Sequence, residues 1–206
     1  MARYIGPVFR LYRREGTDLD ITDKWLRKAR EGSRTQRIPG QHGAGKMKKP
    51  TGYSLQLREK QKVKRIYGVL EKQFHRYFER AESKKGVTGH NLLQFLEQRL
   101  DNVIYRLGFS TSRRTARQMV AHGHILVNGK KVDIPSFQVK PGSVIELKTK
   151  MKENAQVKEA IERGKLLPKW LTLDAAAAKG QVLSLPMRED INLEINEQLI
   201  VELYSK

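Results

Sequence analysis

The fold is predicted most clearly by residues 100–129, which we call the decisive stretch and which read LDNVIYRLGFSTSRRTARQMVAHGHILVNG. Apolar residues recur at helical spacing over residues 91–107, and Gly108 provides a stop for that helix. A second helix is predicted over residues 112–121. The period then changes to that of strands, and Asn128-Gly129 is a typical two-residue hairpin turn. The sequence therefore predicts two helices followed by a small antiparallel sheet.

Two more helices are predicted on the N-terminal side, with a turn between them at Tyr67-Gly68. Their apolar stripe consists of Val63, Ile66, Leu70, Phe74, Tyr77 and Ala81. The stripe of the helix over residues 91–107 consists of Leu93, Leu96, Leu100, Ile104 and Leu107. We expect Ser110 or Thr111 to cap the helix that follows, because a short hydroxyl side chain can accept a hydrogen bond from the first turn.

The C-terminal side is predicted to complete the sheet. Three further strands are expected over residues 143–147, 182–185 and 193–195. Residues 151–164 form a charged helix in this interpretation, and the apolar tail over residues 199–204 is strand-like and packs back on the body. The expected fold class is α+β.

Composition narrows the function before any motif is considered. The 206 residues include 41 Lys and Arg against 22 Asp and Glu, a formal net charge of +19, and no cysteine. The absence of cysteine excludes disulfides, thiol catalysis and cysteine-based zinc sites. No apolar run is long enough for a membrane-spanning helix, and no apolar leader is expected at the start. A charge this far from zero repels itself unless a polyanion neutralises it, which favours nucleic acid as the partner.

The excess charge is concentrated in two parts of the chain. Residues 1–65 carry 18 basic and 6 acidic side chains, and residues 101–150 carry 9 and 3. Residues 151–206 carry 8 basic and 9 acidic side chains, which is typical of an ordinary or protein-binding surface. We therefore expect the polyanion to contact the first third of the chain and the segment 101–150.

Residues 31–53 form a basic segment that cannot support itself. Seven of these 23 residues are Gly or Pro, and five are Lys or Arg. Such a stretch buries too little apolar surface to offset its ordering entropy. We expect either a flexible tail or a coil that orders against a charged partner.

Three patterns suggest other chemistry and are rejected. Residues 40–46 resemble a phosphate-binding loop, but Met47 replaces the Ser or Thr that holds magnesium, and neither a strand nor a helix flanks the segment. The tripeptide Arg99-Leu100-Asp101 resembles that of pseudouridine synthases, but it lies within an amphipathic helix, where we expect Asp101 to pair with Arg106 or a residue one turn away. His122 and His124 have no nearby cysteine or carboxylate, so RNA contact is a better interpretation than a metal site.

The helix over residues 112–121 is expected to carry the most specific basic surface. Ala116, Met119 and Val120 face inward in this interpretation, so that Arg113, Arg114 and Arg117 share the opposite face. Arginine suits this role because its planar fork binds phosphate oxygens bidentately.

The residues quoted from the decisive stretch resemble the S-four RNA-binding domain, which occurs in several families. Further motifs select one of them: residues 2–7 (ARYIGP), 13–16 (RREG), 39–43 (PGQHG), 57–62 (LREKQK), 65–68 (RIYG) and 196–206 (NEQLIVELYSK). These closely resemble the family of bacterial small-subunit ribosomal protein four, over essentially the whole chain.

The resemblance implies a structural constituent of the small ribosomal subunit, not an enzyme, and no cofactor. It implies a primary binder of small-subunit rRNA at a junction in the 5′-domain, which nucleates assembly of the subunit body. It implies small-subunit ribosomal proteins five and three as neighbours, a contribution to translational accuracy, and mRNA as a partner at the entry channel. The implied channel residues are Lys46, Lys48 and Lys49. The implied location is the cytoplasmic, bacterial-type ribosome, and an organellar ribosome is left open.

The resemblance also divides the chain and fixes the expected rRNA contacts. The division is a basic arm over residues 1–53, a helical domain over residues 54–90 with the tail 198–206 packing back, and an S-four domain with its C-terminal extension over residues 91–197. The expected rRNA-binding residues are Arg3, Arg10, Arg13, Arg14, Arg34, Arg37, Arg58, Lys60, Lys62, Lys64, Arg65, Arg106, Arg113, Arg114, Arg117, His122 and His124.

Many relatives carry a four-cysteine zinc cluster near the N-terminus, and this chain has Phe9 and Tyr12 at the first two of those positions. It therefore resembles the zinc-free branch, in which apolar packing and rRNA order the segment. The expected apolar residues are Phe9, Leu11, Tyr12, Trp25 and Leu26. An RNA-modifying enzyme with the same module, and a free RNA chaperone or translational repressor, are the competing interpretations.

Overall fold

The computed structural model describes residues 4–21, 37–43, 45, 49–164 and 166–205. The chain divides into two compact units, the first comprising residues 1–78 and 194–206 and the second comprising residues 79–193. The two units are described separately. Among the described residues, no helix is both long and apolar enough to span a membrane.

The first unit is helical. It contains α1 (Val8–Glu15), α2 (Gly52–Tyr67) and most of α3 (Glu71–Glu82), and it also contains the C-terminal helix, Glu197–Tyr204. Gly68 ends α2 in the left-handed conformation (φ 62°), which confirms the predicted turn. Leu70, however, is 43% exposed and not part of the core, because it lies in the turn between the two helices.

The tail is a helix, so the predicted strand over residues 199–204 is wrong. Ile200 is fully buried and Leu203 is half-buried, and this spacing is typical of a helix. The short run of branched residues in the tail made the helical pattern hard to recognise in the sequence. The helix packs against α2, where Gln56 Nε2 donates a 2.9 Å hydrogen bond to Glu202. Further along, the Tyr204 ring lies 4.6 Å from the Phe78 ring.

Apolar packing accounts for part of the described N-terminal segment. Tyr12 is fully buried, and its hydroxyl accepts a 2.9 Å hydrogen bond from the Ile21 amide. Phe9 and Leu11 are half-buried. Trp25 and Leu26 lie outside the described residues.

The second unit is α+β, as expected. Its helices are α4 (Thr88–Glu97), α5 (Leu100–Arg106), α6 (Arg113–Ala121), α7 (Thr149–Lys152) and α8 (Ala155–Glu162), and the tail helix of the first unit is α9. Its strands are β1 (Ile125–Val127), β2 (Lys130–Lys131), β3 (Val144–Leu147), β4 (Leu171–Asp174) and β5 (Lys179–Val182), and a short 3-10 turn covers Arg188–Asp190. The strands form one antiparallel sheet in the order β2-β1-β3-β5-β4.

The predicted single helix over residues 91–107 is wrong, because the chain breaks between α4 and α5. Arg99 has an extended backbone (ψ 135°) and forms an isolated antiparallel bridge with Gln138. The Leu100 amide then donates a 2.8 Å hydrogen bond to the Phe137 carbonyl. All five residues of the predicted stripe are nevertheless fully buried, since each short helix turns its apolar side to the core.

The decisive stretch otherwise folds as predicted, with one correction at its cap. Ser112, and not Ser110 or Thr111, caps α6 by accepting a 3.1 Å hydrogen bond from the Thr115 amide. Asn128 and Gly129 both have positive φ (51° and 76°), as a tight hairpin turn between β1 and β2 requires.

Boundaries in the C-terminal part differ from the prediction. The charged helix over residues 151–164 is two helices, because Asn154 starts a new one by capping the Gln156 amide at 2.9 Å. The predicted strand over residues 182–185 overlaps β5 only at its first residue, β4 was missed, and residues 193–195 form no strand. The core between helices and sheet includes Ile104, Val120, Ile125, Ile145 and Trp170.

Candidate nucleic-acid interface

The arginine row predicted on α6 is not a solvent-facing row, because Arg113 is buried. Its side chain lies over the Tyr105 ring at 4.4 Å from the centroid, and its Nε donates a 2.9 Å hydrogen bond to Asn102 Oδ1. Arg113 therefore ties α6 to α5 from within the unit. Among the other long α6 side chains, Arg114 is half-buried and Gln118 is exposed.

Two buried carboxylates hold the remaining arginines of this region. Asp101 accepts two hydrogen bonds from the fully buried Arg99, at 3.1 and 2.7 Å, and one from Arg117 at 2.9 Å. Glu97 accepts two from Arg106, at 3.1 and 2.7 Å. The partners of Asp101 are therefore Arg99 and Arg117, and the expected pairing with Arg106 or with a residue one turn away is wrong. Because a bidentate pair fixes the plane of the guanidinium, Glu97 holds Arg106 rigidly. Arg106 and Arg117 each have about an eighth of the side chain at the surface.

Asn102 joins the two halves of this network. Its Nδ2 donates to the Glu97 carboxylate at 2.6 Å, while its Oδ1 accepts from Arg113. These contacts join α4, α5 and α6 through buried side chains. Sequence reasoning missed the roles of Glu97 and Asn102, because the break before α5 that brings them together is not visible in the apolar pattern.

The basic rows predicted on α2 lie against acidic residues of the same unit. Lys60 and Lys64 both contact Glu71, at 2.8 and 2.5 Å, and Lys62 contacts Glu59 at 2.9 Å. Arg58 and Arg65 both contact Glu15. A phosphate contact by these five cations would therefore compete with, or extend, an existing ion pair.

Two of these carboxylates, Glu15 and Glu71, have pKa values shifted from the ordinary value of a glutamate. Burial raises the pKa of the Glu15 carboxyl, and the opposing attraction of Arg65 and Arg58 does not cancel that effect. Desolvation acts in the same upward direction on Glu71, but hydrogen bonds from Lys60, Lys64 and the Tyr204 hydroxyl outweigh it and lower the pKa of Glu71 to about 2. Glu71 is thus an anion at any physiological pH and links α2, α3 and α9.

The N-terminal cations lie on or near α1. Arg10 and Arg14 are exposed, Arg13 is half-buried, and Arg14 Nη2 donates a 2.9 Å hydrogen bond to the Pro39 carbonyl. This bond ties the described part of the arm to α1. Arg37 and Lys49 are exposed. Arg3, Arg34, Lys46 and Lys48 lie outside the described residues.

His122 and His124 flank the end of α6. The two imidazole rings are 6.0 Å apart, with His122 exposed and His124 half-buried. Sequence reasoning missed Lys131 and Lys148, which the sheet brings to the same place. The sequence signal that could have identified Lys131 and Lys148 is their alternation with buried residues of the strands. Within the described residues, no cluster of three potential ligands could hold a metal ion.

Known proteins are similar to this chain from end to end. The family description "Ribosomal protein S4/S9 N-terminal domain" matches residues 3–97, and "S4 domain" matches residues 98–145. The small ribosomal subunit protein uS4 of Thermoanaerobacter sp. (strain X514) is 57% identical over 207 residues, covering 100% of both chains. The proteins of that name from Geotalea daltonii and Desulfitobacterium hafniense are 56% and 53% identical, also over the full length of both chains.

Proposed function

Because this chain belongs to the uS4 family of small ribosomal subunit proteins, we propose that it binds small-subunit rRNA as a structural component of the ribosome. The observation that carries the proposal is similarity above half identity across the whole length of the relatives. The family is one of structural ribosomal proteins and not of enzymes. The net charge of +19 fits a partner made of phosphates.

We propose that each unit contributes its own contacts to rRNA, a rigid part in the second unit and an adaptable part in the first. The rigid part is the outer side of α6 and its end, where Arg114, His122 and His124 are accessible and the buried network fixes Arg106 and Arg117 behind them. The adaptable part is the basic arm, whose proposed contacts include Arg10, Arg13, Arg14 and Arg37. Structured RNA is recognised chiefly through its shape and its phosphates, which such a combination suits.

Finer roles follow from the same family membership. We propose that the chain binds a junction in the 5′-domain early and so nucleates assembly of the subunit body in the cytoplasmic ribosome. Lys46, Lys48 and Lys49 would face mRNA at the entry channel. Exposed apolar side chains at Leu183, Leu185 and Met187, in a nearly neutral part of the chain, fit a protein neighbour such as small-subunit proteins five or three, and through it an effect on accuracy.

A titration with RNA tests the proposed function. The full-length chain would be titrated with a transcript of its own 5′-domain and, as a control, with an equally long transcript of another rRNA domain. We expect tighter binding of the 5′-domain and an affinity that falls steeply as salt is raised, because each neutralised phosphate releases condensed cations. Equal binding of both transcripts would contradict specific rRNA recognition and favour a general RNA chaperone.

The channel residues need a separate test. Replacing Lys46, Lys48 and Lys49 together by alanine should leave binding of the 5′-domain largely unchanged. The same triple variant should slow translation through a stable mRNA hairpin in ribosomes reconstituted with it. A collapse of subunit assembly, with normal translation in whatever subunits form, would show that the three lysines serve rRNA instead.

A further inference from the structure

The sheet of the second unit has an inner face on the core and an outer face toward solvent. Ile125, Ile145 and Leu147 are buried on the inner face. Because side chains alternate along strands, the residues next to them project on the outer face. His124, just before β1, and Lys148, just after β3, are such residues, and the Lys148 amide continues the ladder by donating a 3.0 Å hydrogen bond to the His124 carbonyl.

A third side chain reaches the same end of the outer face from β2. Lys131 pairs with Leu126 across the hairpin, which makes it a diagonal neighbour of His124. Its side chain then crosses Gly123, since a Cβ added at that glycine would overlap Lys131 Cε and lie 3.0 Å from Nζ. The Lys131 ammonium therefore lies beside the backbone that separates His122 from His124.

Gly123 is required here for two independent reasons. Its φ of +68° ends α6 in a conformation that residues with a side chain rarely adopt. In addition, the missing side chain leaves the room through which Lys131 passes. The Gly123 amide donates a 2.8 Å hydrogen bond to the Val120 carbonyl, so one of the last carbonyls of α6 is already engaged.

Few carboxylates oppose this group of cations and imidazoles. Asp133 lies 4.0 Å from Lys131, but both side chains are more than half exposed, so the pair contributes little. Glu146, the acidic residue of β3, contacts Lys179 at 2.9 Å instead. The local charge therefore favours an anion.

We propose that His122, His124 and Lys131 form a binding site for one phosphodiester group of RNA, with Lys148 at its edge. Lys131 supplies the positive charge, the imidazoles supply N–H donors, and Gly123 is the position that lets Lys131 reach them. This site rests on the proposed rRNA binding and gives one part of that interface a defined ligand.

Neighbouring lysines on one short strand provide a matched test. Lys130 and Lys131 are both exposed and carry the same charge, but they project from opposite sides of β2. Lys131→Gln should weaken binding of the 5′-domain transcript about tenfold and lower the salt slope by about one. Lys130→Gln should leave both the affinity and the salt slope nearly unchanged. Equal losses in both variants would show a diffuse charge effect and overturn the site.

Two glycines with the same backbone conformation provide a second test. Gly123 and Gly129 have φ values of +68° and +76°, but a Cβ at Gly129 would meet nothing within 4 Å. Gly123→Ala should weaken RNA binding by about the factor seen for Lys131→Gln, and combining the two changes should add no further loss, because both act through one ammonium. Gly129→Ala should cost a similar amount of stability and leave binding unchanged. Additive losses, or equal losses at the two glycines, would overturn the role of Gly123.

A titration with inorganic phosphate distinguishes RNA from a free anion. We expect Lys131→Gln to weaken binding of the transcript. We expect inorganic phosphate, at comparable concentrations, not to bind the unaltered chain. Saturable binding of inorganic phosphate that depends on Lys131, with transcript affinity unchanged, would overturn the RNA assignment. Failure of the unaltered chain to prefer the 5′-domain would instead refute the proposed function itself.

Discussion

Arg113 offers the sharpest test of the structure, because the sequence pattern places it among the RNA contacts and the structure places it in the interior. We predict that Arg113→Ala destabilises the second unit, whereas Arg114→Ala, one position along the same helix, does not. The two changes remove the same side chain from the same element. They differ in that Arg113 is 6% exposed and packs on Tyr105, while Arg114 is half-buried at the surface.

The magnitude follows from the contacts that would be lost. A buried hydrogen bond to a charged group contributes about 1.5–3 kcal/mol, and removing Arg113 leaves Asn102 Oδ1 without that donor. A desolvated cation on an aromatic face contributes about 2 kcal/mol, and the two terms are not independent. We therefore expect Arg113→Ala to lower the free energy of unfolding by about 3 kcal/mol, against about 0.5 kcal/mol for Arg114→Ala.

Urea unfolding of the full-length chain measures this difference. Trp170 is 1% exposed in the core of the second unit, so its fluorescence reports on that unit, and Trp25→Phe removes the other tryptophan. In a second measurement, thermal unfolding followed by the same fluorescence, the midpoint should fall by about 10 °C for Arg113→Ala. Equal, small effects of the two substitutions would refute the buried placement of Arg113 and restore it to the RNA-facing surface.

Three further predictions concern stability. Glu71→Gln should cost about 1 kcal/mol at pH 7, a modest value because the carboxylate is 47% exposed. Since the folded-state pKa is lowered to about 2, unfolding followed against pH should show this cost present above pH 4.5 and lost as the pH falls toward 2; a cost independent of pH would contradict the ion pairs. Gly180→Ala should cost about 1–3 kcal/mol in urea unfolding, because its Cβ would lie 2.6 Å from Leu107 Cδ1, whereas Gly52→Ala, which meets nothing, should be neutral or stabilising. Ser112→Ala should cost about 1 kcal/mol through loss of the α6 cap, and no change in the unfolding midpoint would contradict the assigned cap.

Local signals predicted the decisive stretch well. The hairpin was predictable because Asn128-Gly129 admits positive φ at both positions, and the turn at Gly68 was predictable for the same reason. The break at Arg99 was not, because it depends on backbone pairing with the distant residue Gln138. The tail was mistaken for a strand because branched residues favour strands locally, while packing on α2 selects the helix.

The sequence identifies the cations of the proposed RNA-binding surface, but it does not reveal which carboxylates surround them. Periodicity placed Arg113 and Arg117 on one helix face, but it could not show that buried Asn102 and Asp101 bind them. The ion pairs of α2 could not be predicted for the same reason, because the partners Glu15 and Glu71 lie on other helices. Side-chain direction relative to a carboxylate is a tertiary property, so a row of cations in sequence indicates a partner of opposite charge without showing which one.

Co-sedimentation shows whether the chain is a component of the small subunit and is held there by rRNA. Ribosomes would be isolated from cells that express the tagged chain and washed at moderate salt. They would then be dissociated into subunits, which are separated on a sucrose gradient. We predict that the chain sediments with the small subunit in about one copy per particle, as expected of a structural component. Recovery of the chain in the soluble fraction at the top of the gradient, with small subunits complete without it, would contradict membership of the small subunit and identify a free RNA-binding protein.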